Sequence, residues 1–366
     1  MNLLKELRER AGNSKLTWPL VALLTIMLFN LFYRPEFFSI EVKEGHLFGS
    51  LIDILNRGAP LMLLSLGMTL VIATGGIDLS VGPVVAIAGA TAAYLIGHGT
   101  HGQDITNTPL PLVILAALLI ATAGGLWNGL LVSRVGLQPI IATLILMTAG
   151  RGIAQLITEG QILTVYYSPY HYIGLGHLLA LPFTVFVVAA VFLLFWFLTR
   201  RTALGLFIES IGVNDSASFY SGISEKNVKL LVYTLSGFCA GIAGLIVSSE
   251  IKSADANNAG LWFELDAILA VVLGGTSLDG GRFSLAGSIL GALIIQSLTT
   301  TIYSVGVPPE VIMVVKAMVI MAVILLQSKR FRQAFKPIIG AFLSLTRRGR
   351  SLLRTTRLPS GESASE

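Results

Sequence analysis

The chain has 366 residues, 54% hydrophobic and 12% charged, with a mean hydropathy of +0.78 and a formal net charge of +5. Apolar runs of about 20 residues recur along it, which a soluble core does not need, so a polytopic membrane protein is implied and a soluble enzyme excluded. The single cysteine, Cys239, excludes an internal disulfide framework, and basic residues gathered beside apolar runs do not make a nucleic-acid surface.

Backbone groups in lipid must be satisfied internally, and the apolar runs are continuous rather than alternating. The fold expected is therefore all-α, a bundle of about ten membrane helices occupying residues 16–328. Residues 1–15 form a basic cytoplasmic segment, and the first span, Leu16–Phe32, carries Trp18 as an interface anchor. Ser50–Arg57 reads as a short amphipathic helix set apart from the second span, Ala59–Thr74. Spans three to five follow at Val81–Ile96, Pro111–Val132 and Ile140–Ile157. A loop rich in tyrosine and histidine leads to span six, Leu181–Leu198, and then a polar island occupies 199–229. Spans seven to ten lie at Leu230–Val247, Trp262–Leu273, Leu285–Tyr303 and Val311–Gln327, and a basic tail covers 329–366. With both termini inside, 19 of the 25 Lys and Arg are cytoplasmic, four are outside, and Arg151 and Lys316 lie within spans. That bias sets the orientation.

Spans three and eight are short, and each abuts a glycine-rich turn, Gly75-Gly-Ile-Asp-Leu-Ser-Val-Gly82 and Gly274-Gly-Thr-Ser-Leu-Asp-Gly-Gly281. The turns align at an offset of 199 and read as a weak internal repeat. Short, glycine-interrupted segments in corresponding halves point to a transport pathway, although two ordinary tight turns fit the same pattern. Gly75, Gly76, Asp78, Gly274 and Gly275 are accordingly pathway candidates, with Asp78 and Asp279 expected to cap the helices that follow.

A charge inside a span must pair, snorkel or face water. Arg151, with Gln155 one turn on, fits either a snorkelling or a lumen-facing role, and Lys316 sits deeper with no partner legible. Asn128, beside Trp127, lines a path or bonds a neighbouring helix, while Glu264 and Asp266 suit the positive end of the eighth span's dipole. No G-x-x-x-x-G-K-[ST] pattern occurs, no nucleophile–base set is recognisable, and His46, His98, His101, His171 and His177 lack metal-ligand spacing. Neither enzymatic activity nor a metal or cofactor of the chain's own is expected.

The island turns polar and basic (Arg200, Arg201, Lys226, Lys229) around Gly205-Leu-Phe-Ile-Glu-Ser-Ile-Gly-Val-Asn214. Asn214 or Asp215 is a candidate N-cap and Gly222 a candidate C-cap, so Ser216–Ser221 is expected to form one or two helical turns. Leu206, Phe207, Ile211 and Phe219 would supply an apolar face. Two readings fit: a surface for another protein to grip, or a helix lying in lipid headgroups.

Gly67-Met-Thr-Leu-Val-Ile-Ala-Thr-Gly-Gly-Ile-Asp-Leu-Ser-Val-Gly82 closely resembles the hallmark of bacterial sugar-type ABC transporter permeases, and Leu265-Asp-Ala-Ile-Leu-Ala-Val-Val-Leu-Gly-Gly-Thr-Ser-Leu278 their second hallmark. The island resembles their coupling region, with Ser218 where a second alanine is usual. Segments 253–262, 55–60 and 147–152 most resemble the galactofuranose-type members; the 97–108 insert and the tail after Arg332 match nothing in the pattern. The resemblance implies one of two permease subunits in the bacterial inner membrane, importing a monosaccharide through a pore at their interface. A separate ATP-binding subunit would hold the ATP and grip Glu209, Gly212, Asn214, Ala217, Ser221 and Gly222, and a periplasmic sugar-binding protein would deliver substrate. The alternative is an ion-coupled secondary transporter working through Lys316 or Arg151. The arginine-rich tail is a solvated or lipid-touching segment with no specific partner.

Overall fold

A computed structural model describes residues 17–43, 45–97, 106 and 108–327. The N-terminal basic segment, the tail, His98, His101 and most of the 97–108 insert lie outside them. The chain divides into two compact units, Met1–Lys316 and Ala317–Glu366, and every site named below lies in the first.

The chain is overwhelmingly helical. Helix α1 (Thr17–Tyr33) leads to a hairpin of β1 (Glu41–Lys43) and β2 (His46–Phe48), then α2 (Ser50–Ala73) and α3 (Val81–Gly97). Helix α4 (Leu110–Leu130) continues as a π-helical turn, Leu131–Val135, which Gly136 ends in the left-handed region. After α5 (Pro139–Ile157) come β3 (Leu163–Thr164), the short α6 (Ser168–Leu175), and a hairpin of β4 (His177–Leu178) and β5 (Leu181–Pro182). Then α7 (Phe183–Arg200), α8 (Leu204–Val213), α9 (Asp215–Tyr220), α10 (Glu225–Glu250), β6 (Ser253–Ala254), α11 (Phe263–Leu273), α12 (Leu285–Val305) and α13 (Pro309–Gln327) complete the order. Six described helices are long and apolar enough to cross a membrane: α2, α4 with its π turn, α5, α7, α10 and α12. With 11 residues, α11 rises only about 16 Å.

The sequence divided Ser50–Arg57 from the second span, whereas the structure has one unbroken helix. Pro60 removes a single backbone donor, yet breaking the helix would strand several more among apolar neighbours. Gly58 relieves the crowding, because a Cβ there would lie 3.3 Å from the Gln296 side chain of α12.

Helix α10 is central and packs on α2, α3 and α4. Gly237 and Gly241 permit the approach to α4, Gly244 that to α3, and Gly67 of α2 receives Ser236 and Cys239. A Cβ at Gly237 would lie 2.6 Å from the Ala121 carbonyl and 2.8 Å from the Gly125 Cα of α4. Between apolar helices in lipid there is no hydrophobic drive to associate, so such close packing is a main attraction. The outer helices present large apolar side chains outward, among them Leu115, Leu119, Ile141, Ile145, Leu193 and Phe197. At the bundle end remote from α8 and α9 the loops tie together. β3 pairs with β6, the Leu47 N–H donates to the Ala180 carbonyl, and the His46 and His177 rings stack 4.5 Å apart. Ser249 fastens α6 to α10 by donating to the Tyr170 carbonyl and accepting from the Gly174 N–H, both at 2.8 Å.

Gly237→Val should therefore lower stability by about 1–3 kcal/mol through overpacking, read as a fall in the melting temperature of the detergent-solubilised protein. Gly152→Ala, where a Cβ meets nothing within 4 Å, should leave that temperature unchanged or raise it.

Candidate functional site: a junction of the island with two glycine turns

The island is two helices broken at Asn214. Its side-chain oxygen accepts from the Ala217 N–H at 2.9 Å and caps α9. Ser218, almost wholly buried, donates to the Asn214 carbonyl and bonds the Ser210 hydroxyl, both at 2.8 Å, so the two helices form one rigid elbow. At the other end of α9, the Ile223 N–H reaches the Ser218 carbonyl and the Gly222 N–H reaches that of Phe219, with Gly222 at φ +83°. This is a Schellman cap, and its left-handed position favours glycine. Lys229 bonds Glu225 at 2.8 Å and lies 3.7 Å from Asp215, tying α9 to α10. The single apolar face read from the sequence is instead divided. Ile208 and Ile211 are buried inward, whereas Leu206 (67% exposed), Phe219 (67%) and Tyr220 (88%) face out. Within α8 the helical period puts Leu206 on the opposite side from Ile208 and Ile211, and the break at Asn214 turns Phe219 and Tyr220 away from that inward face.

Gly212 lies where α8 meets both glycine turns. A Cβ there would come within 1.9 Å of the Ala73 carbonyl and 2.2 Å of the Gly281 nitrogen. The Gly281 N–H itself donates to the Ala73 carbonyl at 2.9 Å, joining the second turn to the end of α2. A Cβ at Gly280 would lie 3.0 Å from the Gly75 nitrogen. Two stretches that the sequence relates as a repeat are thus in direct backbone contact.

Their structural register differs from the sequence alignment by one. Helix α2 ends with Gly75 left-handed (φ +78°), the Gly75 N–H on Ile72 and the Gly76 N–H on Val71. Helix α11 ends identically with Gly275 left-handed (φ +86°), its N–H on Val272 and that of Thr276 on Val271. The equivalent residues are Gly75 and Gly275, an offset of 200 rather than 199. Matching the diglycines hid this, because the left-handed cap takes the first glycine of one pair and the second of the other.

The two turns also carry their aspartates differently. Asp78, 1% exposed, accepts from the Ser80 N–H (3.0 Å) and hydroxyl (2.7 Å) and from the Ser236 hydroxyl of α10 (2.9 Å). Asn128 of α4 donates to the Ser80 hydroxyl at 2.7 Å. Asp78 and Asn128 are therefore fasteners between helices. Among the described residues Asp279 bonds only Ser277, and it does not cap α12, which Ser284 caps by accepting from the Gly287 N–H at 3.1 Å. Ser236 carried no signal in the sequence, being one serine among many in an apolar helix.

Beside α11 a third group of candidates gathers. Arg151 donates to the carbonyls of Ala256 (3.0 Å) and Ala259 (2.7 Å), and Gln155 donates to the Asn257 side chain at 2.6 Å. Burial alone would raise the Asp255 carboxyl. The Asn258 side chain, the Asn258 and Asn257 backbone N–H groups and the Arg151 charge hold it below the usual carboxylate range instead. Lys316 has a partner, Asp266 at 2.5 Å, so the first turn of α11 is held by α13 as well as by its own dipole. Glu264 is 2% exposed. An open groove of about 640 Å³ runs along α5, lined by residues including Gly152, Gln155 and Leu156.

Residues 50–324 match the family described as the branched-chain amino acid transport system / permease component. The chain is 52% identical over 326 residues to the galactofuranose transporter permease protein YtfT of Escherichia coli, covering 88% of this chain and 93% of that one. It is 40% identical to the fructose import permease protein FruF of Bifidobacterium longum (87% and 89% covered) and 36% identical to the ribose import permease protein RbsC of Escherichia coli (85% and 93%). No solved structure matches.

Removing one member of a part-buried ion pair strands the other; with the Lys316 and Asp266 side chains still 19% and 18% exposed the cost is about 1–3 kcal/mol, less than for a fully buried pair. Lys316→Met alone should destabilise by that order, and Lys316→Met with Asp266→Leu should recover most of it in thermal unfolding.

Proposed function

The chain belongs to the permease-component family of ABC transport systems, and from that membership we propose that it is the membrane subunit of a bacterial sugar importer. A separate ATP-hydrolysing subunit grips its island and drives a monosaccharide inward. The observation that carries this reading is the Gly212 junction. Force applied to the α8–α9 elbow reaches α2 through the Ala73 carbonyl and the second turn through the Gly281 nitrogen, with no flexible side chain between. Both pathway-flanking turns then move with the island, which is the rigid-body class of switching.

The exposed Phe219 and Tyr220 rings, 5.9 Å apart, give the ATPase subunit an aromatic knob to enclose. With the island cytoplasmic, the tied hairpins and loops lie outside, where a periplasmic sugar-binding protein docks, and a second permease subunit completes the pore. The relatives' names point to sugars, and galactofuranose is the first to test. The ion-coupled alternative loses support because Lys316 is engaged by Asp266 and Arg151 by two carbonyls.

Gly222→Pro cannot adopt the left-handed cap, and Asn214→Lys removes the α9 N-cap. Each should leave the protein inserted while cutting recovery of the ATPase subunit on co-purification about tenfold, equivalent to about 1.4 kcal/mol of docking energy, with ATP-driven uptake falling in parallel. Undiminished uptake would refute the docking role.

A further inference from the structure

The mouth between α5 and segment 253–262 has features that transport alone does not require. Gln155 and Asn257 bond one another and are both exposed, and Asn258 beside them is exposed as well. Each amide keeps donor and acceptor capacity to offer. The charges nearby are already engaged: Arg151 on the Ala256 and Ala259 carbonyls, Asp255 on the donors of Asn257 and Asn258, and Glu159, which lines the groove, in an interaction of its own. Trp262, three residues past the carbonyl that Arg151 holds, is 46% exposed and left-handed (φ +65°). For a bulky residue that conformation is strained, and it persists where the surroundings impose it, commonly at sites of function. Along α5 the groove is open at Gly152, where a Cβ would meet nothing within 4 Å.

Amides with spare hydrogen-bonding capacity, an exposed indole and satisfied charges suit a neutral, polyhydroxylated ligand. A zwitterionic amino acid would need free charges of both signs. We propose that this mouth is a sugar-contact subsite of the permease itself, in which the Asn257, Asn258 and Gln155 amides read ring hydroxyls and the Trp262 indole takes an apolar sugar face. Arg151 is a positioning residue, which holds segment 253–262 in reach of the groove. This rests on the import reading.

The test uses the complete importer, with its ATPase subunit and binding protein, in proteoliposomes. The probes are radiolabelled D-galactose, D-ribose and D-fructose, with leucine as the control. Cys239 is wholly buried, so Gly152→Cys adds the one accessible thiol among the described residues. A water-soluble methanethiosulfonate should modify it, and the transported sugar, but not leucine, should slow that reaction severalfold. Asn257→Ala should raise the KM for uptake severalfold with little change in kcat. Gly152→Leu should stop uptake while the chain still co-purifies with its ATPase subunit. A thiol at 152 that no reagent reaches, labelling indifferent to a sugar under transport, protection by leucine, or normal uptake by Gly152→Leu would each overturn the site. If the unsubstituted importer takes up none of the three sugars, the import reading falls first, before any variant is made.

Discussion

The structure turns on a place where three backbones meet without side chains between them. At Gly212 the first island helix lies directly against the Ala73 carbonyl and the Gly281 nitrogen, which bond each other. Any Cβ at 212 would force them apart. A backbone contact of this kind has little slack, because peptide geometry is stiff and a packed interface deforms in discrete steps. It is what makes the island a handle on the bundle rather than an appendage to it.

The two glycine turns are alike in backbone and unlike in attachment. Both end a helix with the same left-handed cap, at Gly75 and at Gly275. Asp78 and Ser80 bind the first turn into α4 and α10, whereas the second turn leaves Asp279 to local bonds with Ser277. The first turn is therefore tied to two further helices, whereas the second is held at the Gly212 junction and by bonds of its own. In the import reading, motion at the island passes through Gly281 toward α11, the helix that also carries the Lys316 ion pair and follows the Arg151-held segment.

The rest of the bundle supplies the frame for that difference. Close approach at Gly237 and Gly241 to α4, at Gly244 to α3 and at Gly67 to α2 puts α10 against three neighbours, so the first turn is anchored to the central helix of the fold. At the opposite end, the β3–β6 pair and the bonds of α6 hold the loops to α10 and keep segment 253–262 between α5 and α3.

The sequence alone determined the membrane class, the helical fold, the places of the apolar helices within a few residues, the island and its caps, and the family. These follow from local properties: hydropathy, period, caps and motifs depend on residues close together along the chain. It set Ser50–Arg57 apart from the second span as a short amphipathic helix in a polar segment, whereas stranding backbone groups among apolar neighbours would cost more than continuing one helix through both. It left Lys316 without a partner and Asp78 and Asn128 with open roles, since Asp266, Ser236 and Ser80 reach them from other helices. Only the tertiary structure decided that the two turns touch, that their register is 200, and that Gly212 is where they meet the island. Those facts rest on which backbones approach within van der Waals distance, and no spacing along one chain encodes that directly.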